Sequence, residues 1–342
     1  MQFLYILLTF LLLDVLVILH EGGHFLVARA SGITVNEFSV GMGPAVFSRV
    51  SKKSGVKYSV RAFPIGGFVS MAGEDDSSDD PGAFCNVSRL KRLATVLAGP
   101  LVNIAAGFLV MVIVVLLSVP VSTTVAEFTD GSKSDSYGLS AGDRIVKVNS
   151  VRVLTGNELI YEIMMQGSSP VDLEVVRDGE RIELKGVEFP VITEEGVDFG
   201  DCDFLLYRER TTPSVLVRHA FSRSVSTVKM VFDSLGGLLS GRFGLQSLSG
   251  PIGISEAVGQ AVGVSFASLL YLFAVISVNL GIMNLLPLPV LDGGRILTII
   301  IAIIIRRDPP PAFERAVNTV GFILLMGLTL VITFKDIFKL FS

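Results

Sequence analysis

Residues 3–24 read FLYILLTFLLLDVLVILHEGGH, an apolar run from Phe3 to Leu19 that passes without a break into His20-Glu21-Gly22-Gly23-His24. As a helix, the stretch from Phe3 to His20 rises about 26 Å at 1.5 Å per residue, close to the roughly 30 Å of a bilayer core. It has no basic segment before it and no small-residue cleavage site after it, so it reads as a retained first membrane span and not as a signal peptide. Three ionisable groups within five positions at the inner end of such a span are expensive, and a site of function is the default reading for them.

Outward from this stretch, further apolar runs occupy Leu93 to about Val121, Phe266 to Ile305 and Val317 to Phe334. The Phe266 to Ile305 tract is too long for one straight helix and carries Pro287, Pro289 and Gly293-Gly294, so it reads as a span that breaks there. Composition agrees: 50% of the 342 residues are hydrophobic and 18% are charged, below the roughly 25% of soluble chains. Mean hydropathy is +0.64. A net charge of −4 and the lack of a long basic block exclude nucleic acid as a partner. Cys85 and Cys202 are too few for a disulfide framework or a four-thiolate metal site.

Arg29, Arg49, Lys52, Lys53, Lys57, Arg61, Arg89, Lys91 and Arg92 all lie between the first two spans, and no Lys or Arg precedes the first. This bias puts that loop in the cytoplasm and both termini, with the segment from about Ser122 to Ser265, outside. Cys85 and Cys202 then lie on opposite faces. The external segment changes to near-alternating strands, Arg144 to Asn149 and Val171 to Val176, with a hairpin turn at Asp178-Gly179. Gly138-Leu139-Ser140-Ala141-Gly142-Asp143-Arg144-Ile145 resembles a PDZ strand signature, the alternative being a plain β-sandwich fragment. Ser214 to Leu239 reads as a helix. Val217, Phe221, Val228, Val231 and Leu235 could share a face on the membrane surface, or the helix could pack on the β domain.

Histidines at i and i+4 share one helix face and can both reach a Zn²⁺, and the neighbouring Glu21 can take a proton from an attacking water. A catalytic zinc needs a third protein ligand. The remaining histidine, His219, falls on the external side and reads as a solvated surface residue. Asp14 is turned about 120° from His20 around the helix and reads as a polar contact between spans. Asp292 is the better third ligand, as the only acid in the broken span and near that span's cytoplasmic end.

His20-Glu21-x-x-His24 with Asn284-x-x-Pro287-x-Pro289-x-Leu291-Asp292-Gly293-Gly294 resembles the paired motifs of the site-2 protease family of intramembrane zinc metalloproteases. Gly41 to Pro44, Phe63 to Phe68 and Ala98 to Asn103 resemble other family segments, and the match is closest to the bacterial regulator-of-sigma-E protease group. Two departures are Met42 at the centre of that group's G-F-G and a single PDZ-like module in place of a tandem pair. The resemblance implies His20, His24 and Asp292 as Zn²⁺ ligands and Glu21 as general base and acid. It implies that Asn284 holds substrate backbone and that Lys57 to Met71, with Gly66, Gly67 and Phe68, forms a membrane-reentrant β segment whose edge clamps substrate.

The expected fold is a polytopic α-helical membrane protein with about four transmembrane helices, the reentrant β segment and one extracytoplasmic PDZ-like α+β domain. Its domains are residues 1–121 with the first two spans, 122–190 as the PDZ-like domain, 191–265 as a linker with an amphipathic helix, and 266–342 with the last two spans. The expected activity is cleavage of single-span membrane proteins in the lipid bilayer of the bacterial inner membrane, after an upstream site-1 protease has trimmed them. The rival readings are a non-catalytic PDZ scaffold and a metal transporter, the latter disfavoured because ionisable residues gather at one site.

Overall fold

The computed structural model describes residues 2–74, 77–194, 196–244, 248 and 250–339. The chain divides into two compact units, residues 1–107 with 249–342, and residues 108–248.

The first unit is built around helix α1, Gln2–Ala30. With the start of α2 (Arg89–Leu117), α5 (Pro251–Val264), α6 (Phe266–Leu285), α7 (Asp292–Ile305) and α8 (Pro311–Lys339) it forms an apolar helical body. Four helices among the described residues are long and apolar enough to cross a membrane: Leu4–Ala30, Arg89–Leu117, Phe266–Leu285 and Ala312–Asp336. Their outward faces carry Leu4, Leu11, Leu109 and Leu324, all more than half exposed, as suits a lipid medium. Helices in lipid gain little from apolar burial and rely on close backbone approach. Gly23 and Gly281 supply it. A Cβ on Gly23 would lie 2.6 Å from the Ala98 carbonyl, and one on Gly281 2.7 Å from Ile104. These contacts clamp α2 against α1 and α6. Helix α1 runs to Ala30, ten residues or about 15 Å beyond His20, so His20 does not stand at the helix end.

Between α1 and α2 lie β1 (Val35–Val50) and β2 (Lys57–Met71), each folded on itself. Residues 37–40 pair on one side with 57–60 and on the other with 67–70, while 45–50 pair with 57–61. The ribbon therefore has four rows, and residues 67–71 form one of its edges. Its interior is tied by Glu37, which accepts from Ser59 Oγ (2.6 Å) and Arg61 Nη2 (2.7 Å). Asp14 accepts the Gly66 N–H at 3.1 Å. Its partner is thus the ribbon and not a second span, met at the Gly66 turn, where φ is +82°.

The second unit holds the end of α2 and a sheet of β3 (Val121–Phe128), β4 (Arg144–Val148), β5 (Val151–Arg152), β6 (Val171–Arg177), β7 (Glu180–Val187) and β10 (Phe204–Arg208). The path is β10-β3-β4-β6-β7, with β5 on β4. Alternation puts Val171, Leu173 and Val175 inward, against Ile145, Val125 and Phe204. Asp178 and Gly179 both have positive φ, as a two-residue type I′ hairpin requires. Helix α3 (Gly156–Gln166) and the hairpin β8 (Val191–Glu194) and β9 (Val197–Gly200) complete the α+β domain.

Two expectations differ here. The sheet does not end at residue 190: the stretch read as linker supplies β10, which pairs with β3, because Phe204 completes the core. Helix α4 (Pro213–Leu239) turns its polar side to the domain. Ser222 meets Thr155, Asp233 accepts from Tyr161 (2.7 Å), and Lys229 pairs with Glu162. Val217, Phe221 and Phe232 point outward, whereas Val231 is buried, so the expected face is split. His219 is not a surface residue; it is 1% exposed, 3.4 Å from Glu209, and burial pushes its imidazole pKa down against the pull of Glu209.

Asp143 ties the sequence motif to the domain's stability. Its buried carboxylate accepts from Arg177 Nε and Nη2, both at 2.7 Å, and from the Ser140 N–H. Replacing Asp143 with Ala removes the acceptor of the Ser140 N–H and of Arg177, whose side chain is 35% exposed, and is expected to cost about 1–2 kcal/mol of domain stability. Pulse proteolysis in urea measures this, and an unchanged midpoint would refute it.

Candidate metal centre

Helix α1 places His20 and His24 one turn apart on one face, their rings 4.7 Å apart and nearly perpendicular. Both are 8% exposed. The third member arrives from α6 and α7, which are separated by the Pro287 and Pro289 break. Asp292 opens α7, where unpaired N–H groups favour a carboxylate. Its Oδ2 stands 2.9 Å from His20 Nε2 and 3.4 Å from His24 Nε2, and the two Nε2 atoms are 3.1 Å apart.

The fit to a metal can be tested on these distances. A tetrahedral ion with bonds of about 2.0–2.1 Å holds its ligand atoms about 3.4 Å apart. The three atoms are close to that spacing, and a small outward movement completes it. Asp292 Oδ2 is buried and lacks a hydrogen bond of good geometry, a costly state for a carboxylate unless a cation takes it up. The donor set of two imidazoles and one carboxylate is that of a catalytic zinc with an open fourth position.

A cavity of about 370 Å³ adjoins the triad and is lined by His20, Glu21, His24, Asp292, Asn284 and Phe68. The structure thus brings these six residues around one space. Gly67 stands beside it: a Cβ there would lie 3.8 Å from Glu21 Cγ and 2.8 Å from the Ser39 carbonyl. Gly66 is not in the lining and is turned toward Asp14.

Several supporting residues were not given a role by sequence reasoning. His24 Nδ1 lies 2.8 Å from the Thr95 carbonyl, which accepts its N–H and leaves Nε2 free to ligate. Gly99, one turn further along α2, makes room for both rings; a Cβ there would lie 2.3 Å from His24 Nε2 and 2.9 Å from His20 Cε1. The loop before Asp292 is strained at Val290, a β-branched residue at φ +76°. Asn318 of α8 accepts the Val290 N–H at 3.3 Å, and Gly321 lets Pro289 approach to 2.4 Å of where a Cβ would stand. Gly99 and Asn318 carry no spacing signal, since each acts across helices.

A family model described as peptidase family M50 matches residues 8–328. The chain belongs to peptidase family M50. Similar proteins include one from Clostridium perfringens that carries a zinc metalloprotease name, 34% identical over 335 residues and aligned over 98% of both chains. Zinc metalloprotease RasP of Geobacillus kaustophilus is 30% identical over 409 residues, covering 95% of this chain and 96% of that one. RasP of Shouchella clausii is 28% identical, covering 96% and 97%. The site-2 protease resemblance and the family agree, and the protein is a multi-pass membrane peptidase.

For this M50 peptidase, Gly99 is the glycine that a side chain would drive against both histidine rings. Gly99→Ala is expected to displace the His24 ring by about 1 Å and to lower peptidase activity on a membrane-embedded reporter at least ~100-fold, with the helical circular dichroism retained. Activity near that of the unaltered enzyme would show that the ring has room to move.

Proposed function

We propose that the chain is an intramembrane zinc metalloprotease that hydrolyses a peptide bond within or near the membrane span of single-pass proteins. The observation that carries this is the convergence of His20, His24 and Asp292, with Glu21, on one cavity between helices apolar enough to lie in a bilayer. The similar proteins carry zinc metalloprotease names. His20, His24 and Asp292 hold the ion. When bound, zinc supplies Lewis acidity toward water and the scissile carbonyl.

Glu21 takes the proton of the attacking water and returns it to the leaving amine. Its place beside His20 on α1 and in the lining of the cavity gives it that reach. Asn284, also in the lining, hydrogen-bonds the substrate backbone. A span must unwind before its peptide bond can be attacked, and its freed backbone groups then need partners. Residues 67–71, with Gly66 and Gly67 at the turn and Phe68 toward the cavity, supply them as an edge to which substrate adds as a strand. Met42, Phe47 and Phe63, all exposed, suit a ribbon that dips into the membrane.

The basic loop after α1 is cytoplasmic by the positive-inside rule, and the β domain is a PDZ-like module outside the bacterial cytoplasmic membrane. The outward apolar residues of α4 suit the membrane surface. Substrates reach the site after an upstream protease has removed their external bulk.

The ligand roles are tested by metal analysis of purified variants. His20→Ala, His24→Ala and Asp292→Ala are each expected to lose the single bound zinc, whereas Glu21→Gln keeps it and loses proteolysis. Full zinc in Asp292→Ala would sink the ligand assignment.

Topology is tested by thiol labelling of sealed cells. Cys202 is a poor probe, because burial pushes its thiol pKa up and it packs beside the β core. Lys185, with a side chain 73% exposed, is the better position. A Lys185→Cys chain is expected to label from outside while Cys85 is spared; labelling of Cys85 alone would invert the topology.

A further inference from the structure

We infer that Asn103 of α2 is a positioning residue that sets the tautomer of His20, a role resting on the zinc reading above. Asn103 is fully buried, and its Nδ2 lies 3.3 Å from His20 Nδ1. Its Oδ1 has no hydrogen-bond partner. Its main-chain carbonyl accepts from Ser277 Oγ of α6 at 2.7 Å, which fixes the backbone from which the side chain reaches.

The two histidines are held by unlike groups. The Thr95 carbonyl can only accept, so His24 carries its proton on Nδ1 and always offers the Nε2 lone pair. An amide can donate or accept. With Nδ2 toward His20, Asn103 donates to Nδ1, and the His20 proton sits on Nε2. There it points at His24 Nε2, 3.1 Å away, which accepts, while Asp292 Oδ2, 2.9 Å off, is left without a hydrogen bond. That arrangement pairs the ring nitrogens without metal and leaves the Asp292 and Asn103 oxygens unpaired.

Metal binding needs the Nε2 lone pair of His20. The proton must then stand on Nδ1, with the ring neutral before and after. A half-turn of the Asn103 amide brings Oδ1 to Nδ1 as acceptor, and this gives the unpartnered oxygen its bond. Asn103 thereby serves both tautomers in a place where no solvent can, since it is 0% exposed. A residue that only accepts would favour the ligating tautomer alone, and a residue with neither function would leave Nδ1 buried and unpaired.

The test compares Asn103→Leu with Asn103→Asp, in the full-length detergent-solubilised chain, by Zn²⁺ competition against a chromophoric chelator. Loss of the acceptor in Asn103→Leu is expected to weaken zinc about 10–100-fold, as loss of a partner behind a metal-bound histidine does. Asn103→Asp keeps an acceptor and is expected to bind at least as tightly as the unaltered chain. A packing role predicts the reverse order, since Leu fills the buried volume and Asp brings in a charge. Undiminished affinity in Asn103→Leu, or weakened affinity in Asn103→Asp, overturns the inference. If Asn103→Leu does not fold, the Asp variant decides alone. An unaltered chain that takes up no zinc would overturn the zinc reading and this inference with it, whereas normal uptake there and in Asn103→Leu overturns only the latter.

Discussion

Two imidazoles and two carboxylates stand together inside a body whose outer surface is apolar, and the rest of the first unit follows from the cost of that. A polar group without a partner in such surroundings costs several kcal/mol. Each atom of the site must therefore be met from another helix. Thr95 and Asn103 of α2 meet the Nδ1 atoms, and Asp292 of α7 meets the Nε2 atoms. Three helices are bound to one geometry by that requirement; the glycines at 23 and 99 let α1 and α2 come close enough, and the one at 281 brings α6 against α2.

The same constraint explains the strained loop. Asp292 has to be the first residue of a helix, where the free N–H groups stabilise a carboxylate, yet α6 must first end. Pro287 and Pro289 end it, and Val290 takes up a left-handed conformation that a β-branched side chain resists. Asn318 and Gly321 of α8 hold it there. Strain of about 1–3 kcal/mol persists only where neighbours over-determine it, and here the last span is the neighbour. On the proposed reading, α8 belongs to the active site although none of its residues lines the cavity.

What could be read in the sequence was what is local. The i, i+4 histidines, the apolar runs, the proline break before Asp292 and the Asp178-Gly179 hairpin are each written within a few residues. What is not legible there depends on contacts between distant segments. His219 looked solvated beside Arg218, but Glu209 and the β domain bury it. An end of the domain at residue 190 misses β10, a short strand whose identity depends on pairing with β3, some eighty residues earlier. Asp14 was turned the right way on its helix, but its partner is a backbone N–H that only the fold of the ribbon brings to it.

Helix α4 is packed unlike the rest of its unit. The β domain holds itself together as a soluble protein does, with Ile145, Leu159 and Leu173 fully buried. Helix α4 reverses the usual pattern: its hydroxyls and charges face the domain, and Val217, Phe221 and Phe232 face out. In water, that orientation would forfeit the burial of three large side chains, each worth roughly 1.5–3 kcal/mol. Its hydrogen bonds to α3 are worth only about 1 kcal/mol each, somewhat more where charged. The outward orientation is therefore favourable only if the apolar face is not left in water.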